Sequence, residues 1–132
     1  MEPNIWGPGA WLFLHSITLN YPDKPTTNIK KIYSDFFNRL PDILPCDICN
    51  SNFKKHLSQY PVRFHLNSKE SLCKWLVKIH NLTNIDNKKS TVSYDKFIQN
   101  YQKIYSTSWN YKYIILIIVL LLSLYGVYRY NN

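Results

Sequence analysis

Two cysteines three positions apart, Cys46 and Cys49, stand in the stretch LPCDICNSNF, and only Cys73 joins them in a chain of 132 residues. Close thiols of this kind serve as a structural disulfide, as half of a metal site, or as a redox couple that opens and closes. A zinc site needs four ligands, so two of His56, His65 and His80 would have to complete it; no second C-x-x-C is present, and the spacings differ from a compact Cys2His2 arrangement. A purely structural bridge over so short a loop removes little entropy from the unfolded chain. The local physics favours the redox couple. Pro45 precedes Cys46, which then starts a helix, where free N–H groups and the helix dipole stabilise a thiolate. Cys46 is the attackable sulfur at the open end, and Cys49, one turn further in, faces whatever the helix packs against. A dithiol of this kind passes on two electrons and needs an acceptor. A thioredoxin fold would place a strand before the helix, and FFNRLPDILP does not supply one. A bound two-electron cofactor remains an open answer.

The elements that must position this pair are helical by period. A helix with Pro8 in its first turn runs to about Asn20 and is ended by YPDKP. In the next, Ile29, Ile32, Tyr33, Phe36, Phe37 and Leu40 form one continuous apolar stripe. A third helix begins near Cys46 and turns Phe53 and Leu57 inward. Asn67 and Glu70 read as a capping box for a fourth, with Leu72, Trp75, Leu76 and Ile79 on its buried face. A fifth carries Tyr94, Phe97, Ile98, Tyr101, Ile104 and Tyr105. With no alternating strand pattern, the expected fold class is all-α: a small bundle of four to five helices, followed by one C-terminal transmembrane helix.

That last segment is the stretch from Tyr111 to Tyr130, which includes an uncharged run from Ile114 to Val127. Twenty residues of helix span about 30 Å, the thickness of a bilayer core. Trp109, Tyr111, Tyr113, Tyr128 and Tyr130 bracket it as interfacial aromatics, and Lys112 and Arg129 stand where they can snorkel. The polar STS forms a short linker, 106–110, between this span and a domain of residues 1–105. The net charge of +8 comes mostly from scattered Lys, which reads as a solvated surface rather than a nucleic-acid face. With three glycines and neither G-x-G-x-x-G nor G-x-x-x-x-G-K, glycine-loop nucleotide binding is excluded.

WGPGAWLFLHSITLNYP, LPCDICNSNF and LCKWLVKIHNLTNIDNKK follow one another in this order. Together they resemble the Erv/ALR family of FAD-linked sulfhydryl oxidases, through Trp6, Gly7, Trp11, His15, Tyr21 and Pro22, then Pro45, Cys46 and Cys49, then Trp75, Leu76, His80, Asn81, Asn84 and Lys89. The small size and terminal anchor look like the versions encoded by large DNA viruses. The resemblance implies a helical bundle with FAD seated among the helices. It makes Cys46 and Cys49 catalytic, with Cys49 beside the flavin ring and Cys46 meeting the substrate. Trp6, Gly7, Trp11, His15 and Tyr21 are then cofactor-binding. So are His80, Asn81 and Asn84 at the adenosine end, Lys88 or Lys89 near the pyrophosphate, and Tyr94 or Tyr101 closing the pocket. No metal is implied. The implied reaction is thiol oxidation: electrons pass from a dithiol protein, or a thioredoxin-like relay protein, through the disulfide and FAD to O2, giving H2O2. A homodimer is implied as well.

The sequence departs from the family pattern at Asn87, where an apolar residue is usual, and in having no flanking shuttle cysteines. Cys73 is expected to be a buried free thiol. A flavin-free membrane-anchored thiol relay and a zinc-binding interaction module are the alternative functions. One C-terminal span and no N-terminal export signal place the catalytic domain on the cytosolic side of a host or virion membrane.

Overall fold

In a computed structural model, which describes residues 1–131 but not the side chains of 107–110 and 131, five α-helices follow one another: α1 Pro3–Leu19, α2 Thr27–Arg39, α3 Asp47–Gln59, α4 Lys69–Asp86 and α5 Tyr94–Asn131. Short 3-10 turns at Leu40–Ile43 and Val62–His65 occupy the two proline-punctuated breaks. Among the described residues there is no strand. The chain divides into two units, Met1–Ser93 and Tyr94–Asn132.

The first unit is held by the inward faces of α1 to α4. Trp75 is 1% exposed, packs edge-on against Phe37 at 4.9 Å, and donates its indole N–H to the Tyr60 carbonyl at 2.8 Å. Phe53 and Leu57 are buried from α3, as their i, i+4 spacing requires. The stripe of α2 is buried through Phe37 and Leu40, while Ile32 stays exposed at its margin. Removing a buried aromatic such as Phe37 would cost about 3–5 kcal/mol.

Three local expectations are corrected. The first helix begins at Pro3, so Pro8 falls inside it rather than in its first turn; Pro3 takes the position where an N–H would be unsatisfied anyway. The cap of α4 is Ser68, whose hydroxyl accepts from the Ser71 N–H at 3.2 Å. Asn67 instead accepts from the Lys30 ammonium at 2.8 Å. The expected linker at 106–110 is helical backbone, so α5 runs unbroken for 38 residues. Ser and Thr are only modestly unfavourable in a helix, and nothing in STS forces a stop. The apolar part of α5 is wholly exposed, with a mean hydropathy of 2.0, and is long and apolar enough to cross a membrane. The side chain of Trp109, expected as an interfacial aromatic, lies outside the described residues.

Candidate active site

Cys46 and Cys49 are joined in a disulfide with Cα atoms 5.2 Å apart. Cys46 is the N-cap of α3, and its Sγ accepts from the Cys49 N–H at 3.3 Å. The turn before it is tight: the Cys46 N–H donates to the Leu44 carbonyl at 2.8 Å, across Pro45. Asn50 fixes this turn to the helix. With its amide oriented to satisfy its surroundings, it donates to the Leu44 carbonyl at 3.2 Å and to that of Pro41. Spacing alone gave no signal for Asn50, because its partners are backbone carbonyls. Both sulfurs thus lie in the first turn of a 13-residue helix, where four N–H groups lack intrahelical partners. A thiolate formed there is stabilised by the helix dipole.

A second cluster joins α1 to α4. Trp11 stacks flat on His80, with ring centroids 3.9 Å apart and planes 5° from parallel. His15 Nε2 lies 3.0 Å from His80 Nδ1, so one of these nitrogens donates to the other. Burial first, and neighbouring His80 second, push the pKa of His15 down to about 3. Burial first, and Lys89 second, push that of His80 down to about 4. Both imidazoles are therefore neutral at pH 7. Phe53 of α3 reaches the same cluster, 6.4 Å from the Trp11 ring. It stands one turn beyond Cys49 on the same face of α3.

The other residues singled out in the sequence divide. Tyr21 is fully buried and donates its hydroxyl to the Leu66 carbonyl at 2.9 Å, so its phenol is a core group. The Asn81 amide is used on the 87–93 loop: it donates to the Val92 carbonyl at 2.8 Å and accepts from the Val92 N–H at 3.0 Å. Lys88 adopts φ 54°, the left-handed position just past α4. There Lys88 N–H donates to Ile85 and Lys89 N–H to Asn84, the paired bonds of a Schellman stop with Lys in the usual glycine place. The Lys89 ammonium donates to the Asn4 side chain at 3.1 Å, which ties this loop to the start of α1. Asn84 is half-buried on α4, and Gly7 on α1 has open space where a Cβ would stand. The Trp6 indole nitrogen is buried and has no hydrogen-bond partner among the described residues. Tyr94 and Tyr101 lie on α5 at i and i+7, bridged by the Phe97 ring at 6.2 and 4.6 Å.

Cys73 is buried and free, with its thiol pKa raised by burial. His56, a candidate zinc ligand by residue type, is buried and pairs through Nε2 with Asp86 at 2.8 Å, linking α3 to the end of α4. Sequence reasoning missed this pair, since its members are 30 positions apart. Among the described residues no group of three or more His, Cys, Asp or Glu could hold a metal ion.

A disulfide at a helix start, on the helix whose Phe53 reaches an indole stacked on a neutral imidazole, is the arrangement of a helical thiol–disulfide redox protein. The chain matches the model of the Erv1 / Alr family over residues 8–103 and belongs to that family. It is 38% identical over 104 residues to a probable FAD-linked sulfhydryl oxidase of Acanthamoeba polyphaga mimivirus, covering 78% of this chain and 73% of that protein. It is 35% identical over 78 residues to an FAD-linked sulfhydryl oxidase of Arabidopsis thaliana, covering 59% of this chain and 40% of that protein. The fold matches the crystal structure of the FAD-binding domain of Erv1 from Saccharomyces cerevisiae with a TM-score of 0.68 and 28% identity, over 72% of this chain and 89% of that one. The chain thus spans about three-quarters of the viral relative and two-fifths of the plant one.

Proposed function

We infer that this chain is an FAD-dependent sulfhydryl oxidase that forms disulfides in dithiol substrates. The observation that carries the reading is the Cys46–Cys49 disulfide at the start of α3, on the helix whose next turn brings Phe53 to Trp11. The residues present suit FAD. Trp11 and His80, stacked on each other, would each offer an outer ring face, the neutral imidazoles would hydrogen-bond uncharged ring atoms, and Lys88 would offer charge to a pyrophosphate. The Trp6 N–H is a buried donor that a ligand acceptor would satisfy.

In the proposed mechanism a substrate thiolate attacks Cys46 Sγ. A mixed disulfide forms and Cys49 leaves as thiolate, stabilised at the helix start. The substrate's second thiolate attacks its own sulfur in that bond, releasing the oxidised product and the Cys46 thiolate. FAD, when bound, supplies the two-electron acceptor that regenerates the disulfide and passes the electrons to O2, so that two thiols and O2 yield a disulfide and H2O2. Trp11, His15 and His80 hold the cofactor and shield it from water. Asn84 and Lys88 or Lys89 contact its adenosine and phosphate end. Tyr21 and Asn81 act through the scaffold, given their backbone partners. Purified protein should be yellow with about one flavin per chain, and should consume oxygen when given dithiothreitol; colourless protein carrying stoichiometric zinc would overturn the reading.

The oxidase domain extends to about residue 105, and residues 111–130 form a single span. The apolar length of α5 supports this assignment. The catalytic domain faces the cytosol, in keeping with its excess of Lys, and serves a dithiol or relay protein of viral origin, as the mimivirus relative suggests. Protease added to sealed membranes should digest residues 1–105; protection until detergent is added would reverse the topology. A homodimer is favoured by the exposed apolar face of α1, with Ile5, Leu12 and Phe13 on one stripe.

A further inference from the structure

The disulfide is flanked by two large apolar side chains that the fold leaves in solvent. Ile43 is 75% exposed at the end of the 3-10 turn, and Ile48, between the two cysteines, is 76% exposed in the first turn of α3. Pro45 between them is exposed as well. None of the three contributes to the core, yet all lie within three residues of Cys46. The turn that presents them is held rigidly by the Asn50 amide on the Leu44 and Pro41 carbonyls. Charges of both signs surround them: the N-terminal ammonium of Met1 donates to the Pro45 carbonyl at 3.2 Å. Asp42 is engaged by the Lys54 ammonium at 2.8 Å, while Asp47 is exposed directly after Cys46.

We propose that Ile43, Pro45 and Ile48 form a docking rim for the substrate protein, and that this rim selects dithiols with an apolar residue next to the attacking cysteine. The proposal rests on the oxidase reading and adds its specificity. A thiolate that attacks Cys46 Sγ must come within bonding distance, about 2.05 Å. Neighbouring Cα atoms along a chain are about 3.8 Å apart. The residues on either side of the attacking cysteine are therefore carried onto the rim, whatever protein brings them. An apolar neighbour removes its own surface and that of the isoleucines from water together. With the Met1 ammonium on Pro45 and the Asp47 carboxylate beside Cys46, charge of either sign gains little here, so apolar contact sets the preference and the occupant is an apolar segment of the substrate protein.

The test uses the full-length, flavin-loaded chain and two reduced C-x-x-C peptides that differ only in the residue before the first cysteine, Leu in one and Ser in the other. Oxygen uptake gives kcat/KM for each, with dithiothreitol, too small to span the rim, as reference. The wild-type chain should favour the Leu peptide about tenfold, or about 1.4 kcal/mol. The Ile43→Ser/Ile48→Ser double variant should favour it less than about twofold, since the loss removes apolar contact alone. Equal kcat/KM for the two peptides in the wild-type chain would overturn the proposal, as would a tenfold preference surviving in the double variant. Failure of the wild-type chain to oxidise dithiothreitol would overturn the oxidase reading and the proposal with it; that reference reaction tells the two failures apart.

Discussion

Cys46 and Cys49 sit in a turn partly open to solvent, held by backbone carbonyls and one Asn amide, whereas His15 is fully buried and pairs with half-buried His80 where α1 meets α4. The first region exposes a bond that another molecule must reach. The second keeps two titratable rings neutral by withholding water. One helix face connects them: Cys49 and Phe53 are a turn apart on α3, and Phe53 meets the indole that stacks on His80. On the proposed function, the contrast separates reactivity, set at a helix end, from ligand holding, set by aromatic burial.

The largest way to break this division is Cys49→Ser. It should lower oxidation of dithiothreitol by at least about a hundredfold, while circular dichroism and flavin content stay near wild type. On the enclosed side, Trp11→Ala and His80→Ala should each weaken flavin binding about tenfold to a hundredfold, the loss of one stacking partner. Flavin release on titration with denaturant measures this against unchanged helicity.

Acid should act on the enclosed region first. The folded pKa values of His15 and His80, about 3 and about 4, lie below the unfolded value of 6.5. The unfolded chain therefore binds protons that the folded chain refuses. Stability from this pair is fully present above pH 6.5 and falls as pH drops through that value toward 4, by about 2 kcal/mol or more. Urea midpoints measured from pH 7 to 4.5 should decline, and a His15→Asn variant should show a shallower decline.

Lys88→Gly sharpens the comparison at the edge of the site. Glycine relieves the left-handed backbone and should stabilise the flavin-free protein by about 1 kcal/mol, while removing the charge proposed to meet the cofactor's phosphates. Thermal unfolding with and without added FAD separates the two effects. Cys73→Ser should matter least, with turnover within about twofold of wild type, because this free thiol is buried in the core and takes no part in the disulfide.

What could be read in the sequence follows the range of the interactions. The helix start at Cys46 was legible because Pro45 and the dipole act within one turn. Trp75 and Phe37 were legible as core because the helical period marks a buried face. The partners of Tyr21 and Asn81, the backbone of Leu66 and of Val92, were not legible because they are not encoded by side-chain type. The α4 cap shifted by one residue because Ser68 and Asn67 are both good caps, and Lys30 on α2 claims the Asn. The helical backbone through STS was missed because polar composition suggests a linker, while helix propensity only mildly opposes continuation.

The central claim is that Cys49 is the route by which electrons leave the disulfide. Flavin absorbance followed after anaerobic mixing with excess dithiothreitol tests it most directly. The wild-type chain should lose its oxidised flavin absorbance within the turnover time, and Cys49→Ser, loaded with equal flavin, should keep it over the same interval. Bleaching of Cys49→Ser at the wild-type rate would contradict the account.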